Sequence, residues 1–399
     1  MSSRRAAAGL LTATIVLAAC TAGNRSGSAT TAIAVGQGTR SVGAATATSA
    51  GPSAGASGAA WEQITPPISL TATDFGNQNY GTQTIALSPA DPSIVYLGTC
   101  YQGIWRTGDH GVSWTKVNVG ENGANLDTGR NWTLAVDPND PNVVYTVAGY
   151  GYGQGLWKST NGGRDWRQML SDAVRGRTTG DIYSVAIDPD DHQHLLLGSH
   201  SPWGDGQGAS GVLESRDGGI SWIVHPPQPS WGSGHYVLFI ASDRWLVATQ
   251  SNGMWLTADA GDTWAKVSDA NMQHGATQLY RAVDGTLYVG AATTLLRSTD
   301  EGQSWSPVGP RSQDGYHAII GDGRRLYALA ANTGGNTVDP DPSFSISAET
   351  DGQSWQPYNG GRQTFTDGPM SMAYDARNKV LYSSSWGAGV WRLDVHDSN

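Results

Sequence analysis

The chain has little cysteine, little charge and no long apolar run in its main part. Only Cys20 and Cys100 occur among 399 residues, which excludes a disulfide-rich scaffold. Charged residues make up 15% of the chain, the net charge is −10, and no basic block is present. We therefore expect neither nucleic acid nor an anionic lipid surface as a partner.

The first twenty residues have the composition of an export signal. Arg4 and Arg5 precede an apolar run over 6–19 that is too short to span a membrane as a mature helix. The run ends in Leu-Ala-Ala-Cys20, which resembles a bacterial lipobox, whose cysteine becomes the lipidated first residue. The resemblance implies a lipoprotein signal over 1–20 and membrane attachment through lipid on Cys20. Cys100 would then have no disulfide partner within the chain.

Residues 21–60 consist mainly of Ala, Gly, Ser and Thr, with almost nothing large enough to bury. Such a segment cannot offset the entropy of ordering, so we expect a flexible tether. The remaining residues, 61–396, are numerous enough for one large repeat domain, which burial and strand hydrogen bonds must stabilise.

A short signature ending in Gly, two residues and Trp occurs six times in this domain. Its tryptophans lie 41 to 56 residues apart, a period typical of propeller blades or solenoids. The copies begin at Asp109, Asn161, Asp217, Asp259 and Asp300, with a sixth copy, at Thr350, whose Asp is displaced by one position.

Each signature belongs to a larger unit of four short strands bounded by Gly, Asn and Asp turns, which is typical of a propeller blade. A seventh unit over 372–391 supplies only three strands. The missing strand matches Trp61–Ile64, because that segment resembles the fourth strands that begin with the other tryptophans. The sequence therefore predicts an all-β fold, a single seven-bladed β-propeller that the N-terminal strand closes by joining the last blade.

The signature turns resemble Asp-boxes, the repeats of bacterial sialidases, sortilin-type receptors, xyloglucanases and photosystem II assembly factors. The resemblance covers nearly all of 61–396. It implies that Asp109, Asp217, Asp259 and Asp300 are structural turn residues, on the face opposite the ligand site.

Tryptophans that fall outside the repeat, or at its opposite end, indicate where a ligand would bind. These are Trp132, Trp203, Trp231 and Trp386. Aligning the innermost strands gives one position that reads Gln83, Trp132, Tyr183, Tyr236, Gln278, His317 and Met370, and a neighbouring position that reads Thr82, Asn131, Ile182, His235, Thr277, Tyr316 and Pro369. Because side chains alternate along a strand, only one set can face the central channel.

Aromatic faces beside amide and imidazole groups suit sugar rings, and such a pocket is the default site hypothesis. The predicted ligand-binding residues are Trp132, Tyr183, Tyr236, His235, His317, Tyr101, Trp203, Trp386 and Arg130. The alternative interpretation is that these rings fill the wide end of the propeller.

Hydrolysis of a glycosidic bond requires two carboxylates. Asp181 and Asp367 each precede an innermost strand and form the predicted pair. The motifs of sialidases are absent. The resemblance to xyloglucanases would place a catalytic Asp at or near Cys100, which cannot activate water as a carboxylate does. A nucleophilic role for Cys100 would need a histidine, and His200 or His235 could supply it.

Two hypotheses for function follow. The first is an exported, lipid-anchored, glycan-directed protein that resembles glycoside hydrolases of the xyloglucanase type, with a polysaccharide or oligosaccharide ligand. The second is a non-catalytic binding or assembly propeller for a protein or glycan partner. We expect an extracytoplasmic monomer without a cofactor, and no residue spacing typical of a metal site is present.

Overall fold

We describe a computed structural model that gives residues 60–204, 206, 208–228, 231–275, 277–330, 344–358 and 367–396. The predicted signal, its lipidation residue Cys20 and nearly all of the tether lie outside the described residues. Within the described part of the chain, no helix is long and apolar enough to cross a membrane.

Seven antiparallel four-stranded sheets follow one another along the chain, and neighbouring innermost strands contact each other around a ring. The first strand, β1 (Glu62–Gln63), belongs to the last blade. Blades one to three contain β2 (Thr82–Leu87), β3 (Val95–Thr99), β4 (Ile104–Thr107), β5 (Thr115–Lys116), β6 (Arg130–Val136), β7 (Val144–Gly149), β8 (Gly155–Ser159), β9 (Arg167–Gln168), β10 (Ile182–Ile187), β11 (Leu195–Ser199), β12 (Val212–Ser215) and β13 (Ile223–His225).

Blades four to six continue the same order. Their strands are β14 (His235–Ala241), β15 (Arg244–Thr249), β16 (Met254–Thr257), β17 (Ala265–Ser268), β18 (Leu279–Arg281), β19 (Leu287–Gly290), β20 (Leu295–Ser298), β21 (Ser306–Val308), β22 (Ile319–Gly321), β23 (Arg325–Ala328), β24 (Ser345–Ala348) and β25 (Gln356–Pro357). Blade seven contains β26 (Ser371–Asp375), β27 (Val380–Ser384) and β28 (Val390–Asp394), and β1 completes it.

The closure predicted from the sequence is confirmed. Strand β1 pairs with β28, with Glu62 opposite Arg392 and Gln63 opposite Trp391. Trp61 is buried and stacks on Phe344 of blade six, with ring centroids 4.5 Å apart. The first strand of the domain thus covers an edge that blade seven would otherwise expose.

Helical structure is brief. The elements are α1 (Asp74–Asn77), which has non-helical backbone angles inside it, a 3₁₀ segment (Gly123–Asp127) and α2 (Asp172–Thr178). Each of the three precedes an innermost strand: α1 precedes β2, the 3₁₀ segment precedes β6 and α2 precedes β10.

The antiparallel order defines two ends of the ring. Turns between the first and second strands, and between the third and fourth, lie at one end, which we call the turn face; the signature turns lie there because each falls between a third and a fourth strand. Innermost strands begin at the other end, and loops between second and third strands open there. We call that end the mouth face.

Hydroxyl side chains of the innermost strands bond across to the next blade. The Thr133 hydroxyl donates to the carbonyl of Tyr183 at 3.0 Å, and the hydroxyl of Ser371 accepts from the Ile85 amide at 2.8 Å. Gln278 of blade five reaches past blade six, donating to the Met372 carbonyl at 2.8 Å and accepting from its amide at 3.1 Å. These bonds tie the inner wall of the ring together.

Candidate functional site at the mouth face

Three successive innermost strands carry an irregularity of register at the same position. The pairing of β2 with β3 skips Gln83, that of β6 with β7 skips Trp132, and that of β10 with β11 skips Tyr183. A β-bulge of this kind turns a side chain away from the regular pleat and is common beside binding sites. All three belong to the first of the two aligned positions.

The two positions separate in part. Trp132, Tyr236, Gln278 and Met370, from the first, line a central cavity of about 480 Å³, together with Thr277 from the second. Two other members of the second set bond to the preceding blade: the amide of Asn131 donates to the Thr99 carbonyl at 2.9 Å, and His235 Nε2 lies 3.0 Å from the Gly211 carbonyl. Four of the seven members of the first set therefore face the channel.

Aromatic rings from blades two to five meet at the start of these strands. We call Trp132, Tyr183, Tyr236, His200 and His274 the mouth cluster. Trp132 lies edge-on to Tyr183 with centroids 5.0 Å apart, and Tyr183 lies 4.6 Å from Tyr236 and 4.7 Å from His200. His274 lies 5.9 Å from Trp132 and 5.4 Å from His200.

The hydroxyl of Tyr183 lies at the centre of a hydrogen-bond network. It accepts from the Gly275 amide and from Gln250 Nε2 at 3.1 Å, and His274 Nδ1 lies 3.2 Å away. The Tyr236 hydroxyl donates to the Gly275 carbonyl at 2.7 Å. Burial raises the pKa of both tyrosines, so both phenols stay protonated and rigidly held.

Asp181 immediately precedes β10 and contacts the mouth cluster through one oxygen. Its Oδ2 lies 3.0 Å from His200 Nδ1 and accepts from the Ser201 hydroxyl at 2.5 Å. The other oxygen, Oδ1, is buried and has no partner, and the same holds for Trp132 Nε1. The ideal Cβ position of Gly149 lies 2.5 Å from Trp132 Nε1 and 3.7 Å from Asp181 Oδ1, so a side chain here would collide with Trp132, and both unpartnered atoms lie beside the Gly149 backbone.

Asp367 lies in blade seven and is 5% exposed. Its Oδ2 accepts from the Gly387 amide at 3.1 Å. Burial raises the pKa of Asp367 to about 7, and this single hydrogen bond, which favours the charged form, offsets only part of the effect. The adjacent Trp386 is buried, has a left-handed backbone (φ 43°) and lies edge-on to Tyr80 at 4.7 Å.

The two predicted carboxylates belong to separate parts of the mouth face. Blades one and two lie between Asp181 and Asp367 on one side of the ring, and blades four to six on the other. His200 and Ser201 hold Asp181, whereas Asp367 accepts a hydrogen bond from the backbone amide of Gly387.

Arg130 begins β6 and lies beside the mouth cluster. Its guanidinium carbon is 4.0 Å from the ring centroid of Tyr80, 4.8 Å from that of Tyr150 and 5.3 Å from that of Trp132. Nη2 donates to the side-chain oxygen of Gln78 at 3.3 Å.

Tyr101 is half-buried, stacks against the exposed Phe75 at 5.7 Å and has a left-handed backbone (φ 58°). Tyr150 has the same backbone conformation (φ 61°), and its hydroxyl lies 3.1 Å from His200 Nε2. Such angles are costly for aromatic residues and cluster at binding sites.

Three other predicted residues pack inside the blades. His235 and His317 are fully buried, and burial lowers the pKa of each to about 4, so both are neutral at pH 7. His317 Nε2 lies 3.0 Å from the His274 carbonyl, which places it behind the mouth cluster. Trp203 is 2% exposed and donates to the Ser199 hydroxyl at 2.9 Å.

Cys100 provides no nucleophile at neutral pH. The thiol is fully buried, and burial raises its pKa to about 12 against the nearby charge of Arg130. Its sulfur lies 2.8 Å from Gln83 Oε1, so the protonated thiol donates to that amide. Among the residues that the structure describes, no group of three His, Cys, Asp or Glu side chains is arranged to hold a metal ion.

Several contributors to the site were not among the predicted residues. Tyr80, Tyr150, His200 and His274 contact predicted members directly. One signal could have identified two of them: the first or second residue after the second strand of a blade reads Tyr101, Tyr150, His200, Gln250 and Trp386 in five blades. Four of these carry aromatic rings, at a position that opens onto the mouth face.

Comparison with known proteins gives similarity in sequence and in fold. The chain is 28% identical to a xyloglucanase of Hypocrea jecorina over 62% of its own length and 35% of that protein, and 27% identical to a xyloglucanase of Paenibacillus over 62% and 28%. The chain thus spans about a third of the length of these curated relatives. No family model matches.

Solved structures with the same fold include two kinds of protein. A GH74 xyloglucanase from Xanthomonas campestris superposes with a TM-score of 0.58 at 18% identity, over 84% of this chain and 54% of that one. YCF48 from Cyanidioschyzon merolae superposes with a TM-score of 0.57 at 13% identity, over 86% of this chain and all of that one. The protein is therefore a seven-bladed β-propeller that resembles xyloglucanases in sequence, and both xyloglucanases and YCF48 in fold.

Proposed function

We propose that this protein is an exported, glycan-directed propeller of the glycoside-hydrolase type, anchored by lipid on Cys20, which binds a polysaccharide at its mouth face. The observation that carries the proposal is the pair of buried, unpartnered atoms beside the aromatic mouth cluster, Trp132 Nε1 and Asp181 Oδ1. Similarity to xyloglucanases supports the same ligand class.

A sugar hydroxyl matches this pair of atoms. Trp132 Nε1 can only donate and the carboxylate Oδ1 of Asp181 can only accept, whereas a hydroxyl does both. Buried polar atoms are almost always satisfied, so two unpartnered ones beside Gly149 support a missing polar partner. The surrounding rings offer the apolar surface that a sugar ring's C–H face requires.

The predicted carboxylates have different environments, as acid–base chemistry requires. Asp367, with a pKa of about 7, can hold a proton near neutral pH and donate it to a leaving oxygen. The contacts of Asp181 Oδ2 with His200 and Ser201 hold its carboxylate in place beside the mouth cluster. In this proposal Asp367 acts as the acid and Asp181 as the base or nucleophile.

A panel of polysaccharides that includes xyloglucan tests the proposal. We expect the wild type to bind at least one polymer and to release reducing ends from it, and Asp181→Asn or Asp367→Asn to abolish release while binding persists. Asp262→Asn is the matched control, since Asp262 is an exposed carboxylate on the turn face. Loss of release in this control too would refute the assignment, and absence of binding to every polymer would refute the glycan proposal.

A non-catalytic binding or assembly propeller is the second candidate. One observation favours it: the two carboxylates lie in blades separated by others on both sides. Binding without release of reducing ends by any variant would support this candidate over the first.

The anchor has a separate test. Expression with labelled fatty acid should label the wild type and leave Cys20→Ser unlabelled. Label on both proteins, or on neither, would contradict attachment through Cys20.

A further inference from the structure

Arg130 is a buried cation without a counter-ion. Arg130 is 7% exposed. Among the described residues, no carboxylate lies within ion-pair distance of its guanidinium. Buried charges in proteins are normally paired, because an isolated one is costly.

Carboxylates on the same face are engaged elsewhere. Asp127, which ends the 3₁₀ segment before β6, pairs with Lys116 at 2.8 Å. Asp181 bonds His200 and Ser201 through Oδ2. Neither supplies the anion that Arg130 lacks.

Aromatic rings lie around the guanidinium of Arg130, so a ligand would contact it along its edge. Tyr80, Tyr150 and Trp132 lie within 4.0 to 5.3 Å of the guanidinium carbon. Such rings stabilise the charge but accept no strong hydrogen bond. The N–H groups lie in the guanidinium plane, so an anion must approach along an edge.

One edge of this guanidinium is largely unused. Nε and Nη2 lie side by side and form a fork that matches the two oxygens of a carboxylate. Nε is buried and has no partner, and Nη2 makes one long bond, 3.3 Å, to the amide oxygen of Gln78. Gln78 itself is exposed and follows the exposed turn α1. Its exposed side chain bonds Nη2 of the fork and can be displaced.

We propose that the Nε/Nη2 fork of Arg130 binds the carboxylate of a uronic acid residue in an acidic polysaccharide, and that Gln78 occupies the fork when no ligand is present. The inference rests on the glycan-directed function proposed above and names the ligand class for the same face. A uronate suits the site because its ring can lie on Tyr80 or Tyr150 while its carboxylate meets the fork.

The neighbouring atoms favour a sugar over a peptide carboxylate. Trp132, whose ring lies 5.3 Å from the Arg130 guanidinium carbon, also carries the unpartnered Nε1, and Asp181 carries the unpartnered Oδ1. A ligand with a carboxylate and several hydroxyls on one ring can satisfy both places, whereas a peptide C-terminus offers hydroxyls only from its side chains.

Binding of polygalacturonate and of the same polymer with its carboxyls reduced to alcohols tests the proposal directly. We expect the wild type to bind the acidic polymer roughly tenfold or more tightly than the reduced one, the size of effect that a charge-assisted bidentate contact gives. Arg130→Lys keeps the charge but lacks the fork, and should lose this preference. Gln78→Ala uncovers the fork and should bind the acidic polymer a few-fold more tightly, with no change for the reduced one.

Each outcome is decisive. Equal affinity for the two polymers, or weaker binding of polygalacturonate by Gln78→Ala, overturns the proposal while the glycan-directed function stands. Binding of neither these polymers nor xyloglucan overturns the glycan-directed function itself. Competition by a short peptide only when its C-terminal carboxylate is free, without binding of either polymer, assigns the fork to a peptide ligand instead. Gln78→Ala keeps the test valid if Arg130→Lys fails to fold, because Gln78 is exposed.

Discussion

Burial sets the chemistry of single residues at the mouth face. It lowers the pKa of His235, His274 and His317 to about 4, which keeps all three imidazoles neutral, and it raises the pKa of Cys100 far above neutrality. The same effect on Asp367 produces a carboxyl group that titrates near pH 7. The neutral histidines and protonated tyrosines form a polar surface that carries no charge. The carboxylates and Arg130 are the charged groups beside it.

Asp367 should make the protein less stable as the pH rises. Its pKa is about 7 in the folded protein and near 4 when unfolded, so the folded state holds the proton more tightly. The stabilisation is complete below pH 4 and is lost between pH 4 and 7, at most about 4 kcal/mol. Asp367→Asn should therefore raise the melting temperature at pH 8 and change it little at pH 4, measured by thermal unfolding. An equal shift at both pH values would contradict the assigned pKa.

At the scale of strands and turns, side chains hold neighbouring elements together. In blade three, Glu214 on β12 lies 2.8 Å from His225 Nε2 on β13 and 3.1 Å from His194 Nε2, just before β11. Arg216 approaches the same carboxylate at 2.6 Å. The buried carboxylate thus joins three strands of one sheet.

Removing the charge of Glu214 should destabilise the propeller. Burial raises its pKa, but the hydrogen bonds from His194 and His225 and the charge of Arg216 outweigh burial and lower the pKa to about 2. Glu214→Gln leaves buried partners uncompensated, so we expect a loss of about 3 kcal/mol at pH 7 in chemical denaturation. The loss should shrink as the pH falls from about 4.5 toward 2, because the unfolded wild-type carboxylate then takes up a proton that the folded one does not, which removes the stabilisation. A loss that does not depend on pH would show that packing, not charge, is responsible.

The signature turns differ in the hydrogen bonds that their Asp accepts. Asp109 accepts from the Thr107 hydroxyl and from both the amide and hydroxyl of Ser113, contacts that lower its pKa to about 2. In the displaced copy, Asp351 accepts from the Ser354 amide at 2.8 Å. Asp109→Ala should cost about 1 kcal/mol in denaturant unfolding, and Asp351→Ala less. The reverse order would contradict this account of the turns.

At the scale of the whole molecule, ring closure depends on a segment remote in sequence from its partners. Trp61 packs between blades six and seven, and β1 supplies the outer strand of the last blade. Trp61→Ala should cost about 3 to 5 kcal/mol in unfolding free energy, the usual effect of removing a buried tryptophan. A loss below about 1 kcal/mol would indicate that the first strand is not needed to close the ring.

The ring could be predicted from sequence because every blade repeats its own local signals. Gly-x-x-Trp turns, such as Gly111 to Trp114, mark each third-to-fourth strand connection, and the missing seventh copy pointed to Trp61. The bulges at Trp132 and Tyr183 could not be predicted, since they depend on the register with the neighbouring strand.

The charge environment of the mouth face also could not be predicted from the sequence. Loops from different blades meet in space here, and their arrangement determines whether Arg130 has a counter-ion and whether Asp367 is buried. Repeats encode local turns and equivalent positions, whereas the charge environment at the end of the ring depends on how loops from different blades meet.

Polysaccharide affinity of Trp132→Phe, compared with Trp166→Phe, tests most directly the claim that the mouth face is the ligand site. Both residues are buried, but Trp132 Nε1 has no partner, whereas Trp166 Nε1 donates to the Gly163 carbonyl at 2.6 Å in a signature turn. With xyloglucan or polygalacturonate, whichever the wild type binds, we predict about tenfold weaker binding for Trp132→Phe at unchanged stability, and wild-type affinity for Trp166→Phe at reduced stability. Unchanged affinity in Trp132→Phe, or an equal loss in both variants, would contradict the account.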